Sequence, residues 1–405
     1  MSTVHPAAPM QTPLSRRALA GFFLSGLLFA FPGAILPAWG YHLRPHFTSI
    51  ANYFIFVDLG LLGSILLVRP IGDKRGIAAV LVLACVIAFA ALTWLSFTAP
   101  PAPEWWRLFG FLGLGAGVGT LNSGIFQAIS PAYRHEPAAT VNLAGIFFGL
   151  GSFVLALLIA GTFNIYTVPA ILFLVALAPG LFAVIFAKHG RIPSETPGRP
   201  RTFQDVAREF TVPSAVLFSL LLFFHFGNEW AIAGWLPLFL ILRLGLSPAT
   251  ALLILAAYWL MLMLGRLLAQ AILPRMHHGK LLLITVVASL FGCVTLAFTD
   301  NLFGAIIGAI FVGAGFAPIY PIVVEKIGNR FPHYHPGFFN GIFSLALTGG
   351  MLAPALLGYL AEFAGIQIVI VLPMLGSCLV LLLVLLIWLE AALRSPKSQR
   401  HVVDN

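Results

Sequence analysis

Apolar residues gather along this chain in long runs separated by short polar breaks. Twelve runs can be set out, near residues 18–40, 50–70, 77–99, 105–130, 138–163, 166–188, 213–242, 248–273, 280–299, 302–325, 336–362 and 366–390. Each reaches the ~20 residues that a helix needs to cross the hydrocarbon of a bilayer. One polar interval is longer than the rest, Lys188 to Thr211. Its first part is rich in proline, glycine and arginine and reads as an irregular linker. From Thr202 onward, Phe203, Val206 and Phe210 fall on one side of a short amphipathic helix suited to a membrane surface. The pattern predicts an all-α membrane protein of 12 transmembrane helices in two six-helix bundles. The expected units are residues 1–188, a cytoplasmic linker 189–212, and residues 213–405.

Composition excludes an ordinary soluble fold. The 405 residues are 60% hydrophobic and 9% charged, with a mean hydropathy of +0.99, whereas a soluble domain is roughly 25% charged. Lipid must therefore be part of the solvent. The net charge of +9 does not point to nucleic acid, because the basic residues sit in short breaks between apolar runs. There they set topology. With both termini cytoplasmic, 18 of the 22 lysines and arginines face inward, and Arg44, Arg107 and Arg243 face outward. The expected place is the inner cell membrane, crossed many times. Ser15-Arg16-Arg17 resembles an export signal, but the apolar run after it continues to Gly40 with no small-residue cleavage site. It reads as a first membrane helix. Cys85, Cys293 and Cys378 fall singly in different runs, so they imply neither a disulfide framework nor a metal site. No metal or cofactor is expected.

Against this apolar background the polar residues inside the runs carry the information. Asp58 and Glu229 are the carboxylates well inside a run, while Glu325 and Glu362 fall at run ends. An acid at bilayer depth costs about 3 kcal/mol on insertion scales and faces protein or a watery cavity. Low dielectric disfavours its charged form, so such a group can take up and release a proton. His225 stands one helical turn before Glu229 and can share that proton. The other reading is a structural lock, with each acid satisfied by hydroxyls or by Arg266. Arg266, in the eighth run, either snorkels to the nearer surface or pairs with a carboxylate and holds one state closed. Asn122, Gln127 and Asn142, with Asn228 beside Glu229, offer amide donors and acceptors to a hydroxyl-rich solute, or tie helices together. Trp235, Tyr258 and Trp259 can stack on a sugar's apolar face or on lipid. Pro32, Pro37, Pro237, Pro318, Pro321 and Pro354 are expected to kink helices. The glycines at 113, 115, 117 and 119 fall inside an apolar run with no strand before them, so they suit close helix packing and not a nucleotide loop. No H-E-x-x-H or G-x-S-x-G is present, and an enzyme is not expected.

The second run ends in Arg69-Pro70-Ile71-Gly72-Asp73-Lys74-Arg75-Gly76 and the eighth in Pro274-Arg275-Met276-His277-His278-Gly279-Lys280, each a basic turn containing glycine. Matching turns in two six-helix halves suggest a carrier built from repeats. The loop motif keeps Asp73, Lys74 and Gly76, with Arg69 where a glycine would lead, and with the topology it resembles the major facilitator superfamily. Within it, Gly227-Asn228-Glu229 with Trp235, Gly265-Arg266, Gly315 to Pro321, and Thr348-Gly349-Gly350 with Pro354 and Gly358 resemble the fucose permease-like sugar:proton symporters. The resemblance implies a monomeric secondary transporter of the major facilitator fold, moving a small polar solute, a sugar, with protons as coupling ion. The halves would rock about a midplane site lined by spans one, four, seven and ten. Asp73, Lys74 and Arg75, with Arg266, would be its gating charges. Two departures stand out. Gly33 precedes Ile35-Leu36-Pro37 where the family carries an acid, and Asn122 takes the place of its glutamate in span four. An exporter of amphipathic compounds is the competing expectation, in keeping with 36 phenylalanines.

Overall fold

The computed structural model describes residues 13–135, 137–188, 213–272, 275–331 and 336–394. The expected linker 189–212, with its amphipathic helix, lies outside the described residues, as do Pro274, Lys397 and Arg400. Twelve helical stretches are long and apolar enough to cross a membrane, and the chain is a multi-pass membrane protein. Helices Pro13–Ile35, Phe47–Gly63 with Ile65–Arg75, Ile77–Phe97, Glu104–His135, Pro137–Thr162 and Val168–Ala187 form spans one to six. Pro213–Leu244, Pro248–Ile272, His278–Phe298, Leu302–Phe316 with Ile319–Arg330, Pro336–Ala364 and Ile368–Arg394 form spans seven to twelve.

Three local readings change. Gly72-Asp73-Lys74-Arg75 is not a turn but the end of a helix, and the chain reverses only at Gly76, at φ 84°. Lys74 and Arg75 end the hydrophobic run yet suit a helix C-terminus, where positive charge meets the exposed carbonyls. Span ten is two helices, because Pro318 at the N-cap of the second has no backbone N–H with which to continue the first helix's hydrogen-bond ladder. Pro37 lies in the turns after span one, outside the helix it was expected to kink.

Helix packing repeats between the halves. Span one packs on five, two on four, three on four and six; seven packs on eleven, eight on ten, nine on ten and twelve. Adding six to each number converts the first set into the second, so the two bundles share one architecture. Lipid supplies no hydrophobic drive between helices, so small residues let backbones approach. Gly115 lies on Val57 of span two and Gly117 on Ala88 of span three. Leu177, Leu181 and Val184 in span six and Leu382 and Leu389 in span twelve are exposed, as lipid-facing positions should be. Cys378 is exposed with them, while Cys85 and Cys293 are buried.

Two seams join the halves most extensively, span two to eleven and span five to eight, with a third contact between one and seven. The end bearing Arg75, Lys280 and Arg330 is here termed the basic end, the other the far end. At the far end Glu362 accepts from the Thr48 backbone N–H and hydroxyl at 3.3 and 3.2 Å, and the Tyr359 hydroxyl donates to Asn52 at 2.6 Å. Toward the basic end the same seam parts. Along the span-two face that meets the other half, exposure rises from 0% at Ala51 and 9% at Phe54 to 52% at Leu62 and 65% at Ile65. Span eleven follows suit, from buried Gly358 and Ala355 to exposed Thr348 and Ser344.

Candidate functional site

Span seven runs 32 residues and Glu229 lies at its middle, so the carboxylate sits at mid-depth of the bundle. The helical period places His225 one turn away on the same face. Its Nε2 is 3.6 Å from Glu229 Oε2, and Arg266 Nη2 of span eight is 3.9 Å from Glu229 Oε1. All three side chains are buried. The Arg266 Nε–H donates to the Ala317 carbonyl at the break of span ten, at 3.4 Å. The Tyr258 hydroxyl donates to the Glu229 backbone carbonyl at 3.2 Å. The ion pairs are loose, and neither imidazole nitrogen of His225 has a hydrogen-bond partner. A buried donor or acceptor left unmade is costly, so the His225 imidazole is the unmet hydrogen-bonding group of this cluster.

The cluster reaches across to the other half. The guanidinium lies over Gly145 of span five, where a side-chain carbon would overlap it. Asn142, one turn along span five, donates to the Arg266 carbonyl at 3.3 Å and to Gln270 Oε1 at 3.2 Å, and its own Oδ1 is buried without a partner. Trp259, two turns from Arg266 on span eight, packs edge-on against Phe148, and its Nε1–H is likewise buried and unpartnered.

Other expected site residues go elsewhere. Asp58 is not brought to Glu229. It lies one turn beyond Phe54 on the face of span two that meets the other half, half-buried, where that seam begins to part. Asn122 accepts from the Ser25 hydroxyl at 2.9 Å and donates to the Val118 carbonyl at 3.1 Å, a tie between spans one and four. Gln127 is half-buried on span four. Asn228 turns to span twelve, donating to Ser377 at 3.5 Å, because adjacent helical residues point about 100° apart and cannot share the Glu229 face. Trp235 is fully buried, donates to the Pro354 carbonyl at 2.9 Å and packs on Phe47 and Phe54. It is a strut between halves and not an open stacking surface. Asp73, Lys74 and Arg75 are exposed and make no ion pair with a described residue.

Two features were not read from the sequence. The first is a chain of rings through the middle of the molecule. Trp259 meets Phe148, Phe148 meets Phe29 (5.8 Å between centroids), Phe29 meets Trp230 across the halves (4.8 Å), and Phe226 links Trp230 to Tyr320. All but Trp259 stay half-buried although both halves surround them, so the seam is not closed over them. The one legible signal was Phe226 and Trp230 at i, i+4 beside His225 and Glu229. The second is Arg107, expected at the outer surface but buried in span four. Its Nε–H donates to the Tyr53 hydroxyl at 2.7 Å and its Nη1–H to the Ala102 carbonyl at 2.6 Å, and it lies over the Trp39 and Tyr53 rings. Tyr41, in the loop after span one, shares a hydrogen bond with Tyr53, and burial raises its phenol further from ionisation.

The family model described as Major Facilitator Superfamily matches residues 134–348. The chain is 26% identical to a glucose/galactose transporter of Brucella abortus over 404 residues, covering 90% of this chain and 94% of that protein. It is 27% identical to an uncharacterised transporter of Yersinia pestis over 148 residues, spanning only 38% of that protein. Among solved structures, the Escherichia coli fucose:proton symporter FucP superposes with a TM-score of 0.61 over 92% of this chain and 98% of that one. The nucleoside transporter NupG superposes with a TM-score of 0.70 over 93% and 99%. Both are 14% identical, so they speak for the fold alone.

Proposed function

The chain belongs to the Major Facilitator Superfamily, and we propose that it is a secondary active transporter of a small polar solute, a sugar, working by alternating access with protons as coupling ion. The observation that carries this reading is the buried His225–Glu229–Arg266 cluster, in which one half's ionisable groups lean on the other half at Gly145. A carboxylate at mid-depth with loose partners can change its proton without unfolding the bundle. The sugar class rests on the names of the Brucella relative and of FucP, together with the half-buried rings that a pyranose can stack upon. In this scheme Glu229, His225 and Asp58 handle protons and Arg266 reports them to the seam. Asn142, Gln127, Trp259, Phe29 and Trp230 meet the solute. Asn122, Asn228, Trp235 and Tyr258 hold the helices that carry them.

The working unit is a monomer of two bundles, residues 1–188 and 213–405, joined by a cytoplasmic linker 189–212. It sits in the cytoplasmic membrane with both termini inside, a placement that the distribution of lysine and arginine supports. The basic end then faces the cytoplasm, and the parting of spans two and eleven there corresponds to an inward-facing state. The test is uptake into proteoliposomes under an imposed pH gradient across a sugar panel. Glu229→Gln should abolish gradient-driven uptake and spare counterflow exchange. Undiminished gradient-driven uptake by this variant would remove Glu229 from coupling.

A second reading has one observation in its favour. The parted seam exposes Leu62, Ile65 and Leu66 next to Asp58, an apolar approach suited to an amphipathic compound being exported. Hypersensitivity of a deletion strain to amphipathic drugs, with unchanged growth on every sugar, would favour it.

A further inference from the structure

A cavity of about 530 Å³ lies well away from the central cluster, in the C-terminal bundle at its basic end. Spans seven, ten and twelve and the start of span nine, with the two residues before it, surround it. Its walls are of two kinds. Phe218, Met276, Ile387 and Ala391 form an apolar side, while the polar side has donors on His277, His278, Lys326, Asn329 and Arg330 and one carboxylate, Glu390.

The charges are not all paired in contact. Arg330 Nη2 is 3.1 Å from both oxygens of Glu390, which neutralises that pair. Glu325 turns its carboxylate to His278 Nδ1 at 3.2 Å. Lys326 makes no hydrogen bond or ion pair with a described residue, so its ammonium lines the cavity with no contact partner among them, and Glu325 acts on it only from beyond ion-pair distance. His277 adds a donor of known polarity. Its Nδ1 accepts from the Gly279 N–H at 3.4 Å, so the ring proton belongs on Nε2. The first turn of span nine, which begins at His278, adds its partial positive charge. An ammonium with no contact partner among the described residues, several N–H donors and an adjoining apolar wall are complementary to a negatively charged oxygen group with carbon attached.

We propose that this cavity binds a phosphate-bearing monoanion carrying apolar carbons, the chemistry shared by an anionic phospholipid headgroup and a small free phosphate ester. The site is separate from the transport pathway and does not depend on which solute is carried. Lys326 and His277 hold the phosphate oxygens, and Phe218 and Ile387 meet the glycerol or acyl carbons.

The experiment is thermal unfolding of the full-length protein in a neutral detergent with added phosphatidylglycerol, phosphatidylcholine, glycerol phosphate or inorganic phosphate. Stabilisation by phosphatidylglycerol and not by phosphatidylcholine assigns the site to a lipid. Stabilisation by glycerol phosphate alone to the same extent assigns it to a free ester. In both cases Lys326→Gln and, separately, His277→Gln should weaken the half-saturating concentration about tenfold, or about 1.4 kcal/mol. Lys326→Arg should retain binding, and so should Arg69→Gln, which alters an exposed charge at the same end outside the cavity. Equal stabilisation by both lipids, no shift with any phosphate compound, or shifts unaltered in both cavity variants would overturn the proposal.

Discussion

Arg266 of span eight lays its guanidinium against the bare α-carbon of Gly145 in span five, so an arginine buried among spans seven, eight and ten also bridges the two halves. Three guanidinium atoms lie under 3.0 Å from where a Cβ would stand. They are the far end of a flexible side chain, so the arginine can yield without the helices moving. Gly145→Ala should therefore leave the unfolding midpoint nearly unchanged while slowing turnover several-fold, because the guanidinium is pushed off the seam. Parallel thermal-melt and proteoliposome uptake measurements check this, and wild-type turnover in Gly145→Ala would deny the contact a role in switching.

Gly33 makes the contrasting case. A Cβ there would stand under 3.0 Å from three backbone atoms of Ala233 and Gly234, and backbone cannot give way as a side chain can. Overpacking of this kind costs about 1–3 kcal/mol, enough to part spans one and seven at this contact. Gly33→Ala should raise the reactivity of a cysteine placed at Phe54, on the covered face of span two, toward a membrane-impermeant maleimide. Cys378 is replaced beforehand, since it is exposed. No gain in labelling would mean that the span-one contact does not close that end.

The charges of Glu229 and Arg266 offset one another inside the bundle at 3.9 Å. Removing one partner of a buried pair leaves an uncompensated charge and costs about 3–5 kcal/mol, less where the pair is loose. Glu229→Gln and Arg266→Gln should each lower the melting midpoint, and the double variant should recover part of the loss. A coupling energy of about 1 kcal/mol or more in the double-mutant cycle is expected. Strict additivity would show that the two groups do not interact.

Phe29 and Trp230 meet across the halves with half-buried rings. If they stack on the solute, Trp230→Ala should weaken solute binding about tenfold, equivalent to about 1.4 kcal/mol, while Trp230→Phe keeps most of it. Isothermal titration with the transported sugar reads this directly. Equal affinity in Trp230→Ala would move the stacking surface elsewhere along the ring chain.

The Arg107 guanidinium lies within hydrogen-bond reach of a tyrosine hydroxyl and a backbone carbonyl. A hydrogen bond to a charged group contributes about 1.5–3 kcal/mol. Tyr53→Phe should thus lower thermal stability clearly, whereas Tyr41→Phe, one bond further from the charge, should cost less. Reversal of that order would show that Tyr41 and not Tyr53 supports the arginine.

Much of this molecule is legible as a string of letters. Twelve spans, the two-bundle division, and the placing of Glu229 and His225 on one helical face follow from run length and the 3.6-residue period, because both are local properties of the chain in lipid. Helix breaks were harder to read. Ile65–Arg75 continues as a helix past the end of its apolar run because charged residues stop hydropathy without stopping hydrogen bonding.

What one chain segment meets on another could not be read in that way. Asn228 and Glu229 are neighbours in sequence, yet one is spent on span twelve and the other on Arg266. Trp235, chosen as a stacking surface, is consumed as a strut, and Trp230, passed over, lies between the halves. The sequence by itself determined which residues are polar at bilayer depth, since the cost of putting them there is paid one residue at a time. Only the tertiary structure decided which of them face each other, since helix rotation and the 5–8 and 2–11 contacts are settled by packing summed over many distant pairs.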